Sequence, residues 1–157
     1  MIANDAPGTA GVLAPPPVIV ATAMVGGWLL GRLFPWPILP AAIAFWVGFG
    51  FALAALAFAV VAWREMSRAR TAVSPYTPSS ALVRTGPFAY SRNPLYLSLV
   101  VLAIGFSLLT NTLWCVLLLI PAVVVLRHGV IAREEAYLLR CFGEDYRLYC
   151  AATRRWF

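Results

Sequence analysis

Long uninterrupted runs of apolar residues dominate the pattern along the chain. The first covers residues 18–34 and the second covers residues 38–63. The prolines between the two runs predict a very short turn, because proline ends helices and removes a backbone donor. The second run is long enough to cross a hydrocarbon layer about 30 Å thick with some tilt, and the first is interrupted by charge only at Arg32, near its end. The pattern therefore predicts two membrane-spanning helices, preceded by a loose tail over residues 1–17 that is rich in Ala, Gly and Pro.

A third apolar run, residues 95–126, carries no charge. One helix of that length would extend about 48 Å at 1.5 Å per residue, well beyond the hydrocarbon core of a bilayer. Thr110, Asn111 and Thr112 offer a polar break near its middle. We therefore expect two short, closely paired helices, with Pro121 kinking the second. The predicted hairpin covers residues 95–109 and 112–128.

Polar residues are concentrated in a loop over residues 64–94 and in a C-terminal segment over residues 130–157. Within the second segment, the pattern predicts a helix over residues 132–142. Gly143 is its natural C-terminal stop, because glycine accepts the left-handed conformation that ends many helices. A second short helix is predicted over about residues 144–153.

Composition excludes a water-soluble globular protein. Hydrophobic residues make up 62% of the 157 residues and charged residues only 11%, whereas soluble domains carry about 25% charged residues. The prediction is one all-α integral membrane domain over residues 1–157, with about four transmembrane helices and a cytoplasmic C-terminal helix.

Charge predicts how this domain lies in the membrane. All 12 basic residues are arginines, the net charge is +6, and most of the arginines lie in the two polar segments. The positive-inside rule places both segments in the cytoplasm, in the cell inner membrane. Arginines beside apolar spans favour membrane lipids rather than nucleic acid as partners.

No metal site or disulfide framework is predicted. Cys115, Cys141 and Cys150 lack the spacing of metal ligands. His128 has no second ligand in register, so it is interpreted as an interface residue.

Two polar stretches are candidates for chemistry. Asn93 and Pro94 begin the hairpin, and we expect the Asn93 side chain to cap the helix and Pro94 to occupy its first position. Glu134 and Glu135 lie just beyond the hairpin. Such a pair can simply face solvent and favour the helix dipole. It can also meet a bound cation or a ligand hydroxyl or amino group, and a projection at 100° per residue favours Glu135 as the inward acid.

The order of these residues resembles the isoprenylcysteine carboxyl methyltransferase and phospholipid methyltransferase family. The resemblance covers about residues 64–156 and depends on a loop motif, a hydrophobic hairpin and an acidic pair. The matching residues are Leu82, Val83, Gly86, Ser91, Arg92, Asn93, Pro94, Leu95, Tyr96, Glu134, Glu135, Leu138, Phe142, Gly143 and Tyr146.

The resemblance implies an enzyme that uses S-adenosylmethionine, and releases S-adenosylhomocysteine, without a Rossmann domain. It implies that Glu134 holds the cofactor, that Glu135 supports it, and that Arg92 or Arg127 pairs with the methionine carboxylate or with an acidic acceptor. The other implied cofactor residues are Ser80, Ala81, Leu82, Val83 and Phe88, which line the pocket, and Asn93, Pro94, Leu95 and Tyr96, which close it. The methyl acceptor is expected to be lipophilic or small.

Two departures from the family pattern keep other interpretations open. Asn93 stands where the family has histidine, which removes a titratable group. Val130 stands where enzymes acting on prenylcysteine have arginine, so that amines, thiols, phenols and lipids all stay possible as acceptors. The alternatives are a nicotinamide-dependent membrane reductase resembling the steroid reductases and a non-catalytic member of the fold.

Overall fold

The computed structural model describes residues 11–71, 77 and 79–156. This part of the chain is helical and contains no strand, which confirms the all-α prediction. A short 3-10 helix, Gly86–Ala89, precedes α3, and a π-helical turn, Leu126–Ile131, joins α4 to α5. The five α-helices are α1 (Pro16–Leu33), α2 (Ala41–Arg68), α3 (Pro94–Leu109), α4 (Leu113–Val125) and α5 (Ala132–Ala152).

α2 is longer than its apolar run. It continues to Arg68, so the polar loop begins after that residue rather than at Arg64. Glu65 and Arg68 lie one turn apart at the end of α2 and form an ion pair, with 2.8 Å between Nη1 of Arg68 and Oε1 of Glu65. The end of the apolar run therefore marks where the helix leaves the hydrocarbon, not where it stops.

The apolar helices pack as an antiparallel bundle in which α2 contacts α3 and α1 contacts α4. Glycines allow two of these contacts to be backbone to backbone. A Cβ atom on Gly27 would lie 2.6 Å from the Cα atom of Cys115, and one on Gly105 would lie 2.9 Å from the backbone nitrogen of Ala52. Close approach through small residues is typical of helix packing in membranes.

The outward faces of the bundle are hydrocarbon, as a membrane protein requires. Trp46 is 69% exposed and Ile120 is 61% exposed. Among the described residues, three helices are long and apolar enough to cross a membrane: α1, α2, and the continuous helix that starts with α4. α3 is a shorter apolar helix of 16 residues. In this last helix the first charged residue is Arg127, so that α5 extends beyond its apolar part.

The two short connections between apolar helices lie at the same end of the bundle. The Asn111 side chain donates to the carbonyl oxygen of Leu39 (2.8 Å) and accepts from the backbone N–H of Ile38 (3.0 Å). The N–H of Leu113 donates to the carbonyl oxygen of Trp36 (2.9 Å). The polar break predicted in the third apolar run is therefore a real turn, and the loop after α2 and helix α5 meet at the opposite end.

The π-helical turn changes the register between α4 and α5. α4 is continuous through Pro121, and the predicted kink there stays a prediction. The wider turn over residues 126–131 buries Leu126, Val130 and Ile131, while Arg127 faces outward. Residues on the two sides of this turn therefore do not keep the spacing of 100° per residue, whereas Glu134 and Glu135 lie beyond it in α5.

Gly143 interrupts α5 with φ 52° and ψ −121°, which confirms the stop predicted from the sequence. We expect Gly143→Ala to destabilise the protein by about 1–3 kcal/mol, because side chains other than glycine are strained in this backbone conformation. The apparent melting temperature in detergent measures this. Steric contact does not contribute, since a Cβ atom at this position has no neighbour within 4 Å.

Gly50→Ala is the matched control. Gly50 lies inside α2, and an added Cβ atom there also meets nothing within 4 Å. Because alanine is the better helix former by about 1 kcal/mol, this variant should be neutral or stabilising. Equal melting temperatures for the two variants would contradict the assigned role of Gly143.

Candidate functional site

A crevice opens at the polar end of the bundle, between the end of α2, the segment over residues 79–93 and helix α5. It holds about 680 Å³ of empty space when the part open to solvent is included, and its closed interior is much narrower. Both polar stretches singled out in the sequence contribute to it. The lining residues are Met66, Thr71, Thr77, Ser79, Ala81, Leu82, Val83, Phe88, Arg92, Asn93, Glu134, Glu135, Tyr137, Leu138, Tyr146 and Tyr149.

The loop wall of the crevice is tied to both neighbouring helices. The hydroxyl oxygen of Thr71 accepts from the backbone N–H of Ser80 (3.2 Å), and the Tyr137 hydroxyl accepts from that of Ser79 (3.1 Å). Val83 and Phe88 form a small apolar cluster with Ala62 of α2. The wall therefore presents hydrocarbon to the crevice while its backbone donors are satisfied.

Glu134 receives a hydrogen bond from Tyr96 across the crevice end of the bundle. The Tyr96 hydroxyl lies 2.7 Å from Oε2 of Glu134. Burial raises the pKa of the Glu134 carboxyl, the hydrogen bond from Tyr96 lowers it, and the neighbouring Glu135 raises it. A half-buried acid of raised pKa beside a crevice is the kind of group that a ligand's cation or donors can stabilise.

Glu135 is the centre of an ion group with two arginines. Nε of Arg155 donates to Oε1 of Glu135 (3.0 Å), and Nη2 of Arg155 donates to Oε2, so the contact is bidentate. Nη1 of Arg92 lies 3.3 Å from the same carboxylate and also contacts the sulfur of Cys150. The side chains of Arg92 and Glu135 are only 15% and 14% exposed. The two acids thus differ: Glu135 is neutralised within the protein, and Glu134 is not.

Asn93 does not cap α3 with its side chain. Its backbone carbonyl accepts from the N–H of Leu97 (2.9 Å), but its amide Nδ2 donates to the carbonyl oxygen of Arg155 (3.2 Å). The predicted side-chain cap is therefore wrong, because the C-terminal segment crosses this corner and takes the amide. Pro94 does occupy the first helical position, as predicted.

The C-terminal segment is held to the loop by its backbone as well. The N–H of Arg92 donates to the carbonyl oxygen of Arg154 (3.0 Å), and the Ser91 hydroxyl donates to that of Arg155 (3.3 Å). Ser91 and Thr153 are both buried. These contacts fix the Arg155 guanidinium beside Glu135.

Two buried tyrosines of α5 complete the crevice. The Tyr149 hydroxyl donates to the carbonyl oxygen of Phe88 (2.6 Å), and burial raises the pKa of Tyr149 to about 12. Burial also raises the pKa of Tyr146. Both therefore stay protonated at neutral pH, where they serve as hydrogen-bond donors and packing groups rather than as bases.

Most, but not all, of the residues expected at the site line this crevice. Ser80 and Leu95 are outside the lining. The Ser80 hydroxyl donates to the carbonyl oxygen of Arg70 (2.8 Å), and Leu95 packs against the cluster that contains Val83 and Phe88. Arg127 is exposed and is not in the lining, because the π-helical turn directs it outward. Pro94 and Tyr96 are also outside the lining, although Tyr96 reaches it through Glu134.

Sequence reasoning missed several residues of the crevice and of its ion group. Tyr137 falls on the α5 face that follows the acidic pair, so helical spacing could have found it, whereas Leu138 already matches the family pattern. Thr71 and Ser79 carry no motif, and neither does Arg155, which is 20 residues from Glu135 along the chain. Only the three-dimensional path of the C-terminal segment brings Arg155 to the site.

Comparison with known proteins identifies the family. The profile of the phospholipid methyltransferase family matches residues 43–145, more than half of the chain. An uncharacterised protein of Haemophilus influenzae is 37% identical over 62 residues, which cover 40% of this chain and 98% of that protein. No solved structure matches the chain. With the apolar bundle and the crevice at its polar end, the family match supports a membrane methyltransferase: the chain belongs to the phospholipid methyltransferase family.

Proposed function

We propose that this protein is an integral membrane enzyme that transfers a methyl group from S-adenosylmethionine to a lipophilic or small acceptor at the cytoplasmic face of the inner membrane. The observation that carries the proposal is the meeting of Glu134 with Asn93 and Arg92 in one crevice. These residues are about 40 positions apart in sequence. The arginine-rich loop and C-terminal segment support a cytoplasmic position for this end of the bundle.

The residues of the crevice fit S-adenosylmethionine by chemical type. Val83 and Phe88 offer an apolar wall for a purine, and Glu134 offers a carboxylate for an amino or hydroxyl group. Nε of Arg92 is buried and has no hydrogen-bond partner among the described residues. Such a donor is suited to a carboxylate, since buried polar groups are normally paired. When bound, the cofactor supplies a methyl group activated on a sulfonium sulfur.

Methyl transfer from a sulfonium is an in-line displacement in which positive charge at sulfur is lost. The protein's tasks are therefore to align the reactants and to exclude water. An anion placed against the sulfur would stabilise the ground state, so we assign Glu134 to the amino or ribose end of the cofactor and Arg92 to the carboxylate end. Asn93 cannot titrate, so it positions groups rather than accepting a proton.

The acceptor stays open among amines, thiols, phenols and lipids. Val130, which stands where prenylcysteine enzymes have arginine, is completely buried in the apolar core. This position therefore contributes no cation to the crevice, and the structure offers no support for an acceptor carboxylate there.

Titration of the purified protein with two ligands tests the proposal. S-adenosylhomocysteine should bind saturably and raise the melting temperature, and NADPH should do neither. Binding of NADPH alone would favour the reductase, an alternative that the family match does not favour. Binding of neither ligand would indicate a non-catalytic member of the fold and would overturn the proposal.

A further inference from the structure

A second cavity borders the same ion group. It shares Arg92, Glu135 and Tyr146 with the crevice and holds about 800 Å³ of empty space, again including the part open to solvent. Its remaining lining residues are Ala132, Ala136, Leu139, Arg147, Cys150 and Arg155. None of these is needed for the cofactor assignment proposed above.

Positive charge is in excess at this cavity. Arg92 and Arg155 both pair with the single carboxylate of Glu135, which leaves one guanidinium charge without a counter-charge in the ion group. Two like charges held together at low exposure are costly unless another anion joins them. Arg147 adds a third cation, which pairs with the exposed Glu144.

The rest of the cavity is apolar and lies at the depth of lipid headgroups. Arg92 lies two residues before the start of α3, and Ala132 directly follows the π-helical turn that ends the apolar part of the last helix. Both therefore lie where apolar spans give way to polar chain, which is the headgroup level of a bilayer. Ala132, Ala136 and Leu139 form the hydrocarbon side. This apolar surface adds nothing to the binding of a small soluble anion, whereas it can pack against the hydrocarbon of a lipid.

We propose that this cavity binds the headgroup of an anionic phospholipid from the cytoplasmic leaflet, with Arg92 and Arg155 on its phosphate and the α5 residues Ala132, Ala136 and Leu139 against its glycerol and acyl groups. The site shares Arg92 with the crevice, where the cofactor carboxylate would engage the same guanidinium, so lipid binding is tested without cofactor and the two proposals can fail separately. It would couple lipid composition to the crevice, because Arg92 and Glu135 border both cavities.

Native mass spectrometry of the full chain in neutral detergent tests this site. Phosphatidylglycerol should bind saturably, with one molecule held more tightly than the rest, and phosphatidylcholine should not. Arg155→Gln should weaken that site about tenfold, as expected for loss of one charge-assisted contact. Arg154→Gln, which removes the same charge from an exposed neighbour outside the cavity, should leave it unchanged. Equal weakening by both variants would show only general surface attraction and would overturn the proposal.

Glu135→Gln separates a lipid site from a merely structural ion group. Without the competing carboxylate, both guanidinium groups can turn to the lipid phosphate, so we expect phosphatidylglycerol to bind severalfold more tightly. Unchanged or weaker binding would contradict the site, even if Arg155→Gln failed to fold. Inorganic phosphate should not reproduce the effect of the lipid; if it does, the site takes a soluble anion and the lipid assignment is wrong.

Discussion

Glu134→Ala should weaken binding of S-adenosylhomocysteine by tenfold to a hundredfold. The proposed contact is a charge-assisted hydrogen bond from the ligand's amino or hydroxyl group to a half-buried carboxylate, and such bonds contribute about 1.5–3 kcal/mol. Isothermal titration calorimetry in detergent measures the change. An unchanged affinity would mean that Glu134 does not contact the ligand.

The variant should remain folded, so the loss of binding can be assigned to the site. Burial raises the pKa of the Glu134 carboxyl in the folded protein. At any pH above the ordinary pKa of glutamate, this carboxyl therefore lowers the free energy of unfolding rather than raising it. Removing the acid therefore costs little stability at neutral pH. Glu144→Ala is the matched control, since Glu144 is an exposed acid of the same helix and is not in the crevice lining.

The pH dependence of the same titration gives a second readout. A ligand ammonium group pairs with the ionised form of Glu134. The affinity for the ligand should therefore increase as the pH rises through the pKa of Glu134, which lies above the value of about 4.3 that is usual for exposed glutamate. In Glu134→Ala this increase should disappear. If the variant keeps the same pH profile, another group is responsible.

The fold was predictable because the composition of each segment indicates whether it lies in the lipid or in water. Uncharged runs of this length have few choices other than helices in a membrane, since every backbone group must be satisfied within the segment. The errors lie where the helix and the apolar run end at different residues. α2 continues into polar sequence as far as Arg68 because an exposed last turn needs no hydrocarbon, only a favourable ion pair with Glu65.

The site was predictable only in part, because its geometry depends on two features that have no local signal. The π-helical turn directs Arg127 outward, so this residue does not line the crevice although the resemblance implies a role for it there. The return of the C-terminal segment places Arg155 on Glu135 and gives the Asn93 amide a partner other than the helix end. Distant backbone contacts of this kind are set by tertiary packing and not by residue spacing.

Glu135→Ala should be the most destabilising single substitution at the site. Removing this carboxylate leaves the guanidinium groups of Arg92 and Arg155 facing each other at low exposure, without the anion that holds them together. Breaking a buried ion pair by deleting one partner costs about 3–5 kcal/mol. Since the Arg155 side chain is 32% exposed, solvent screens part of this cost, and we expect about 3 kcal/mol. The apparent melting temperature in neutral detergent, and the denaturant midpoint, measure it.

Asp145→Ala provides the control for this prediction. Asp145 also pairs with an arginine, Arg84, at 3.2 Å, but both side chains are largely exposed, at 70% and 42%. Exposed pairs of this kind contribute about 0–1 kcal/mol, so the control should melt close to the wild type. The contrast follows from desolvation, because an arginine left unpaired in water is hydrated whereas Arg92, left unpaired at 15% exposure, is not. If the two variants have the same melting temperature, the ion group around Glu135 does not hold the C-terminal segment against the crevice.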